Sequence, residues 1–305
     1  MSTATGQRIG VIGAGVVGTA LARALASLDR RVEAVASRTR ASAERLAART
    51  PGCMVFDTPQ AVSDRCDLVL LTVPDDAIAG VAAAVQWRPG QSVVHCSGAR
   101  ALSALDPAAQ LGARVGGFHP LQTFADGDQQ LSIFHGIAFA VEATAPLRDE
   151  MEDLARDLGG WPIRLSSADR ALYHASAVAV CGFIATLMRA AADLWEGFGG
   201  DQTGPLGHAD EGLRALIPLA RRTIEGIEAR GLPAAMTGPL TRGDVGTVRG
   251  HLEALDATAP GFKHLYCHLA LSGLGLARAK GGLEPDRELA IERLLMETLE
   301  PVGVP

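Results

Sequence analysis

The chain has 305 residues, 48% hydrophobic and 20% charged, enough for two domains of ordinary size with proper cores. A net charge of −6 without any Lys/Arg run excludes nucleic acid and an anionic membrane surface as expected partners. The opening residues, MSTATGQR, hold no apolar signal region, and no run of about 18 uninterrupted apolar residues follows, so no membrane span and a cytosolic location are expected.

The first element is a short apolar strand at residues 8–12, which runs into Gly13, Gly15 and Gly18 in the string RIGVIGAGVVG. This is the GxGxxG spacing of a dinucleotide-binding turn: Gly13 permits the turn, Gly15 admits a pyrophosphate, and Gly18 lets the next helix pack on the sheet. Val16 and Val17 open that helix, whose free N–H groups and dipole favour an anion, and residues 19–28 (TALARALASL) continue it. A second strand at residues 31–36 ends at Ser37, Arg38 and Thr39, close to where an NAD enzyme carries an acidic residue for the ribose 2′-OH. Two hydroxyls and a guanidinium stand there instead, a group suited to a 2′-phosphate, so NADP is the expected cofactor. Ser37 equally suits the cap of a helix starting near Ala41, which would leave Arg38 and Arg40 solvated.

Further strand-like runs at residues 53–56, 67–73, 92–96, 114–118, 136–141 and 161–165 alternate with helical ones at 76–85 and 145–158. The alternation predicts an α/β fold, a doubly wound parallel sheet whose ligand lies at the carboxyl ends of the strands. Val73, Pro74, Ser97 and Gly98 close two of those strands and become candidates for contacting a nicotinamide ring and its ribose. In GFHPLQTF at residues 117–124, His119 is expected in a loop after a strand, aimed by Pro120. An imidazole suits proton exchange near neutral pH, and Gln122 and Thr123 offer hydrogen bonds to the same substrate. A loop-shaping hydrogen bond to backbone explains His119 equally well.

After Leu165 the strand-like runs stop and apolar periodicity becomes helical, which divides the chain into residues 1–167 and 168–305. Residues 168–195 contain ASAVAVCGFIATLM at 175–188, a helix apolar all round, expected to thread the middle of an all-α domain and to contribute to a homodimer. Helical patterns at 210–230, 244–255, 261–280 and 285–299 complete a set of about five, and residues 197–208 read as a mobile loop. Tyr173 and His174 interrupt small apolar residues at the start of the long helix, so either meets the substrate or packs as a satisfied buried polar group. His119 and His174 are both expected to face one interdomain cleft. In TGPLTRGD at 237–244, a loop entering a helix, Asp244 suits an N-cap, while Arg242 suits an anionic substrate, a neighbouring subunit or water. The five cysteines are scattered, and His264 and His268 stand four apart without the Glu of a zinc protease or a third ligand, so no metal is expected. Ser97 has no GxSxG elbow around it.

In order and over nearly the whole chain, GAGVVG, the SRT at 37–39, LLTVPDDAI at 70–78, HCSG at 95–98, GFHPLQTF, LYHASAV at 172–178 and TGPLTRGD resemble the Rossmann-like plus DUF2520 family of predicted NADP oxidoreductases. HPLQTF and GPLTRGD are specific to that family, whereas the glycine motif is not. The resemblance implies a branch of the 6-phosphogluconate dehydrogenase-like superfamily, alongside pyrroline-5-carboxylate and ketopantoate reductases, with a C-terminal helical domain that commonly dimerises. The family's biochemical function is largely undefined; from the residues, the expected activity is NADPH-dependent reduction of a small carbonyl or imine compound, such as a 2-oxo acid, with the nicotinamide supplying hydride and His119 or His174 the proton. Where the long helix of the family usually has an Asn that helps to hold the reacting carbonyl, this chain has Gly182. That departure, with no evident Lys acid in the helix, favours the alternative of a non-catalytic NADPH-binding or redox-sensing protein. A deazaflavin cofactor follows from family-level similarity alone and has no residue behind it.

Overall fold

The computed structural model describes residues 6–125, 131–197 and 208–299. Runs of Val, Ile, Leu and Ala form eight strands: β1 (Arg8–Ile12), β2 (Arg31–Ala36), β3 (Met54–Phe56), β4 (Leu68–Leu71), β5 (Ser92–His95), β6 (Arg114–Pro120), β7 (Ala138–Ala143) and β8 (Trp161–Arg164). They make one sheet in the order β3-β2-β1-β4-β5-β6-β7-β8, parallel throughout except where β7 runs against β6. Six helices accompany them: α1 (Val16–Ser27), α2 (Arg40–Ala48), α3 (Pro59–Arg65), α4 (Ile78–Ala84), α5 (Asp106–Gln110) and α6 (Leu147–Asp157).

Helices on both faces explain why the strands read as unbroken apolar runs rather than alternating ones. Val11, Val35 and Leu70 pack with Leu21, Leu25 and Leu46 of α1 and α2 and with Met151 and Leu154 of α6. Ile12, Val69, Leu71 and Val93 point to the other face, against Val62 of α3 and Ile78 and Ala82 of α4. The chain leaves β1 for β2 on one side and returns to β4 on the other, which opens a crevice at the carboxyl ends of these strands.

His119 does not lie in a loop, as expected from its sequence, but is the penultimate residue of β6 and pairs with Ala140 of β7. Pro120 is compatible with this because it favours an extended residue before it and sits at the strand's end, where Leu121 resumes the bonding by donating its N–H to the Ala138 carbonyl.

The chain divides into two compact units, Met1–Cys181 and Gly182–Pro305. The division falls inside α7 (Arg170–Asp193), so the first turns of that helix belong with the sheet. The second unit continues with α8 (His208–Arg230), α9 (Leu232–Ala235), α10 (Pro239–Arg242), α11 (Val245–Thr258), α12 (Pro260–Lys280) and α13 (Pro285–Leu299). Its core is a stripe from the last three: Val248 and Leu252, then Cys267, Ala270 and Leu274, then Ile291 and Leu295, at the three- and four-residue spacing of helix faces. The TGPLTRGD segment is not all loop, since Pro239 starts the single turn α10. Asp244 caps α11, its carboxylate accepting from the Thr247 N–H at 3.0 Å. Residues 198–207 of the expected mobile loop lie outside the described residues.

The expectation that the long apolar helix is buried within the chain is overturned. Of α7 only Arg170 and Ala192 are buried, while Leu172 is 78% and Phe183 62% exposed. Among the described residues, too few neighbours pack on α7 to cover its all-round apolar surface. With its 3₁₀ extension it is also long and apolar enough to cross a membrane by length and composition.

Candidate functional site

A cleft of about 760 Å³ lies at the carboxyl ends of β1 and β4, inside the first unit. Residues 13–17 and 37–39 line it with Thr72, Val73, Pro74, Asp76 and Phe124. Its floor depends on two glycines. Gly13 has φ +108°, and a Cβ there would stand 2.6 Å from the Thr72 carbonyl carbon. A Cβ at Gly18 would stand 2.2 Å from the Gly13 oxygen, so α1 closes on the turn only without a side chain. At Gly15 a Cβ would meet nothing within 4 Å, and this open space before the N-terminus of α1 is where a pyrophosphate fits.

On the cleft wall Ser37 is half-buried, and Arg38 and Thr39 are exposed. Arg40 is committed to Glu44 and Asp57. Arg38 forms no ion pair among the described residues, which leaves its guanidinium available to an anion entering the cleft. Thr39 is the N-cap residue of α2 without a side-chain capping bond, so Ser37 does not cap that helix.

Val73 and Pro74 line the cleft, whereas Ser97 and Gly98 lie beyond it at the end of β5. The Ser97 hydroxyl accepts from the N–H groups of Ala99 (3.1 Å) and Arg100 (2.9 Å) and so shapes its own loop. Gly98 lies against the His119 ring, where a Cβ would stand 2.8 Å from Cε1. Across from it, His119 Nδ1 and the Tyr173 hydroxyl are hydrogen-bonded at 2.7 Å, with their rings edge to face at 5.6 Å between centroids. Thr123 donates to Cys181 Sγ at 3.2 Å, and the Gln122 side chain folds back on the Thr123 N–H. His174 is half-buried, and its positive form is close enough to disfavour protonation of His119. In the second unit, Arg242 is exposed at the C-terminal end of α10.

Electrostatics separate the roles these groups can take. Burial pushes His119 down to about 4, helped by the positive charges of His174 and Arg170, so its ring is neutral at pH 7. A neutral imidazole with so low a pKa is a poor direct acid. Burial pushes Tyr173 up to about 12, so its hydroxyl keeps its proton and can donate it. His95, one strand over, is wholly buried and also lowered to about 4 by burial; its Nδ1 accepts from the Ser97 N–H at 3.3 Å.

Sequence reasoning missed a buried ion pair behind these groups. Arg170, 2% exposed at the start of α7, donates through Nη1 to the Ser97 carbonyl at 2.9 Å and through Nε to Glu142 of β7 at 3.0 Å, with Nη2 also on that carboxylate. The one available signal was Glu142 itself, a carboxylate at the end of the apolar run AFAV.

Family models match the chain in two parts, a Rossmann-like domain over residues 3–120 and a domain of unknown function, DUF2520, over residues 137–272. Comparison with curated proteins gives no match. Among solved structures, the chain is similar to a protein of Bacteroides fragilis described as a candidate NADP oxidoreductase, at 25% identity and a TM-score of 0.70, covering 90% of this chain and 100% of that one. A reductive aminase of Aspergillus terreus in complex with NADPH and ethyl-5-oxohexanoate shares the fold at 17% identity and a TM-score of 0.57, covering 96% and 93%. An imine reductase variant of Myxococcus stipitatus in complex with NAD+ does so at 17% identity and a TM-score of 0.59, covering 96% and 99%. With a doubly wound sheet followed by helices and both models matched in that order, the chain is a Rossmann-like and DUF2520 domain-containing protein.

Proposed function

We propose that this protein is an NADPH-dependent reductase of a small carbonyl or imine compound and that the Tyr173 hydroxyl delivers the proton. The observation that carries this reading is the Tyr173–His119 pair, at the same sheet edge as a cleft that fits a dinucleotide. The bound nicotinamide would supply the hydride. Residues 13–18 hold the pyrophosphate at the start of α1, and Arg38, flanked by Ser37 and Thr39, holds the 2′-phosphate. With Nδ1–H donated to the Tyr173 oxygen, His119 leaves the phenolic proton free for the substrate and steadies the charge that develops on the oxygen. The fold likeness to reductases whose complexes hold NADPH or NAD+ supports a nicotinamide dinucleotide. A 2-oxo acid such as ketopantoate would further need a cation for its carboxylate. A screen of carbonyl and imine compounds, followed by NADPH absorbance, tests the activity, and binding without turnover of any of them would return the protein to the non-catalytic NADPH-binding reading.

The cofactor assignment has its own test. Arg38→Ala should weaken NADPH binding by about 1.5–3 kcal/mol, the worth of a hydrogen bond to a charged group, and leave NADH binding nearly unchanged. Equal weakening of both would remove the 2′-phosphate role.

The reading also takes the protein to be a homodimer built on its C-terminal helices. Phe183 of α7 and Leu219 and Ile224 of α8 are each more than half exposed, and Met188, Ile217 and Ile224 line an open groove of about 350 Å³ between those helices. A second copy related by a two-fold axis would cover the same surface on both chains. Light scattering at micromolar concentration should give twice the chain mass, and a monomer would count against it.

A further inference from the structure

We infer that Arg170 is a positioning residue for this site: its buried guanidinium ties the Ser97 carbonyl and the Glu142 carboxylate together and so sets the Tyr173 hydroxyl against His119. The inference rests on the reading of Tyr173 as proton donor for its catalytic meaning, but its geometry stands apart from that reading. Arg170 begins α7, and Tyr173 lies one turn further along the same face. The guanidinium reaches three structural pieces at once: the loop after β5 through Ser97, strand β7 through Glu142, and its own helix. Ser167 takes the other Glu142 oxygen, so the carboxylate is filled from both sides of the helix start.

The room for this arrangement is made by Gly117 of β6, where a Cβ would stand 2.8 Å from Arg170 Nη2. Two residues on, the same strand presents His119. One buried group is thus packed on the strand that carries His119 and covalently linked to the helix that carries Tyr173. A buried ion pair is weak evidence for stability, because desolvation of both charges offsets most of their attraction, and hydrophobic replacements of similar volume are often neutral. Directional bonds to two fixed partners, the Ser97 carbonyl and the Glu142 carboxylate, give what such replacements would not: one rotation and one height for the first turn of α7. The guanidinium charge also reaches the pair it positions, holding down the pKa of His119 and opposing the rise that burial imposes on Tyr173.

The test uses long-range ¹H–¹⁵N spectra of the His119 ring in the full-length protein, where the Nδ1 resonance reports its hydrogen bond. Tyr173→Phe provides the signature of the lost bond. Replacing both charges with apolar side chains (Arg170→Met with Glu142→Met) leaves neither buried and unpaired. That double variant is expected to show the Tyr173→Phe signature, to keep NADPH affinity within about twofold, and to lose turnover on the order of 10²-fold, as a displacement of about 1 Å at a reacting group does. An unchanged Nδ1 resonance in the folded double variant overturns the inference. Should the double variant not fold, Arg170→Lys answers the same question, since it retains the charge without the planar fork. It is expected to show a partly lost Nδ1 signature, and an unaltered resonance there overturns the inference as well. If Tyr173→Phe keeps full turnover while the double variant still loses the Nδ1 bond, the proton-donor reading fails and Arg170 remains the group that sets the pair.

Discussion

Tyr173→Phe is expected to lower NADPH-dependent turnover by about 10²- to 10⁴-fold, the usual contribution of a positioned general acid, while NADPH affinity stays nearly unchanged. The substitution removes one oxygen from a half-buried side chain and leaves its ring against His119. The residues proposed to anchor the cofactor, 13–18 and 37–39, lie on other elements of the same unit. His119→Asn should act through Tyr173 and cost less, because a ring lowered to about 4 is not itself the acid at neutral pH. A larger loss from His119→Asn than from Tyr173→Phe would make the imidazole the donor. Loss of NADPH affinity with folding intact would make either residue a cofactor contact instead.

The second large effect is on stability in mild acid. His95 is wholly buried, and burial holds its pKa at about 4, below the ordinary 6.5 of the unfolded chain. Between those values the unfolded chain binds a proton that the folded chain does not, so stability rises with pH across the window. The contribution of His95 is fully present above pH 6.5 and is lost as pH falls to about 4, a change on the order of 3 kcal/mol. His119 behaves with the same sign over the same window. Urea unfolding at pH 7, 5.5 and 4.5 should therefore show a falling midpoint, and His95→Gln should flatten that dependence. A pH-independent midpoint over this range would mean that the buried histidines find compensating partners when charged.

Much of the sheet was legible because its signals are local. The turn glycines at 13, 15 and 18, the apolar runs of β1, β4 and β5 and the acidic helix α6 each depend on neighbours within a few residues. What escaped was set by distant partners. Nothing near His119 in sequence announces β7, so its local sequence suggests a loop, and only the register with Ala140 keeps it in a strand. Tyr173 and His119, 54 residues apart, gave no sequence sign of forming one hydrogen-bonded pair. Arg170, at a helix start, looks like an ordinary solvated charge until Glu142 and Ser97 are brought around it. For α7 the apolar pattern gave the helix but not its degree of burial, which depends on what packs against it and is low among the described residues.

Gly98 and Gly117 have a consequence for how the protein responds to mutation. At most positions alanine is the mildest replacement, and a scan by alanine measures what a side chain contributes. At these two positions the contribution is the lack of a side chain: the space a methyl group would need is taken by the His119 ring at one and by the Arg170 guanidinium at the other. A single added carbon would displace those side chains without touching them chemically, so Gly98→Ala or Gly117→Ala should resemble the loss of the residue each glycine accommodates. The shape of the site is held partly by atoms that are missing, and its tolerance to substitution is therefore lowest where the sequence looks plainest.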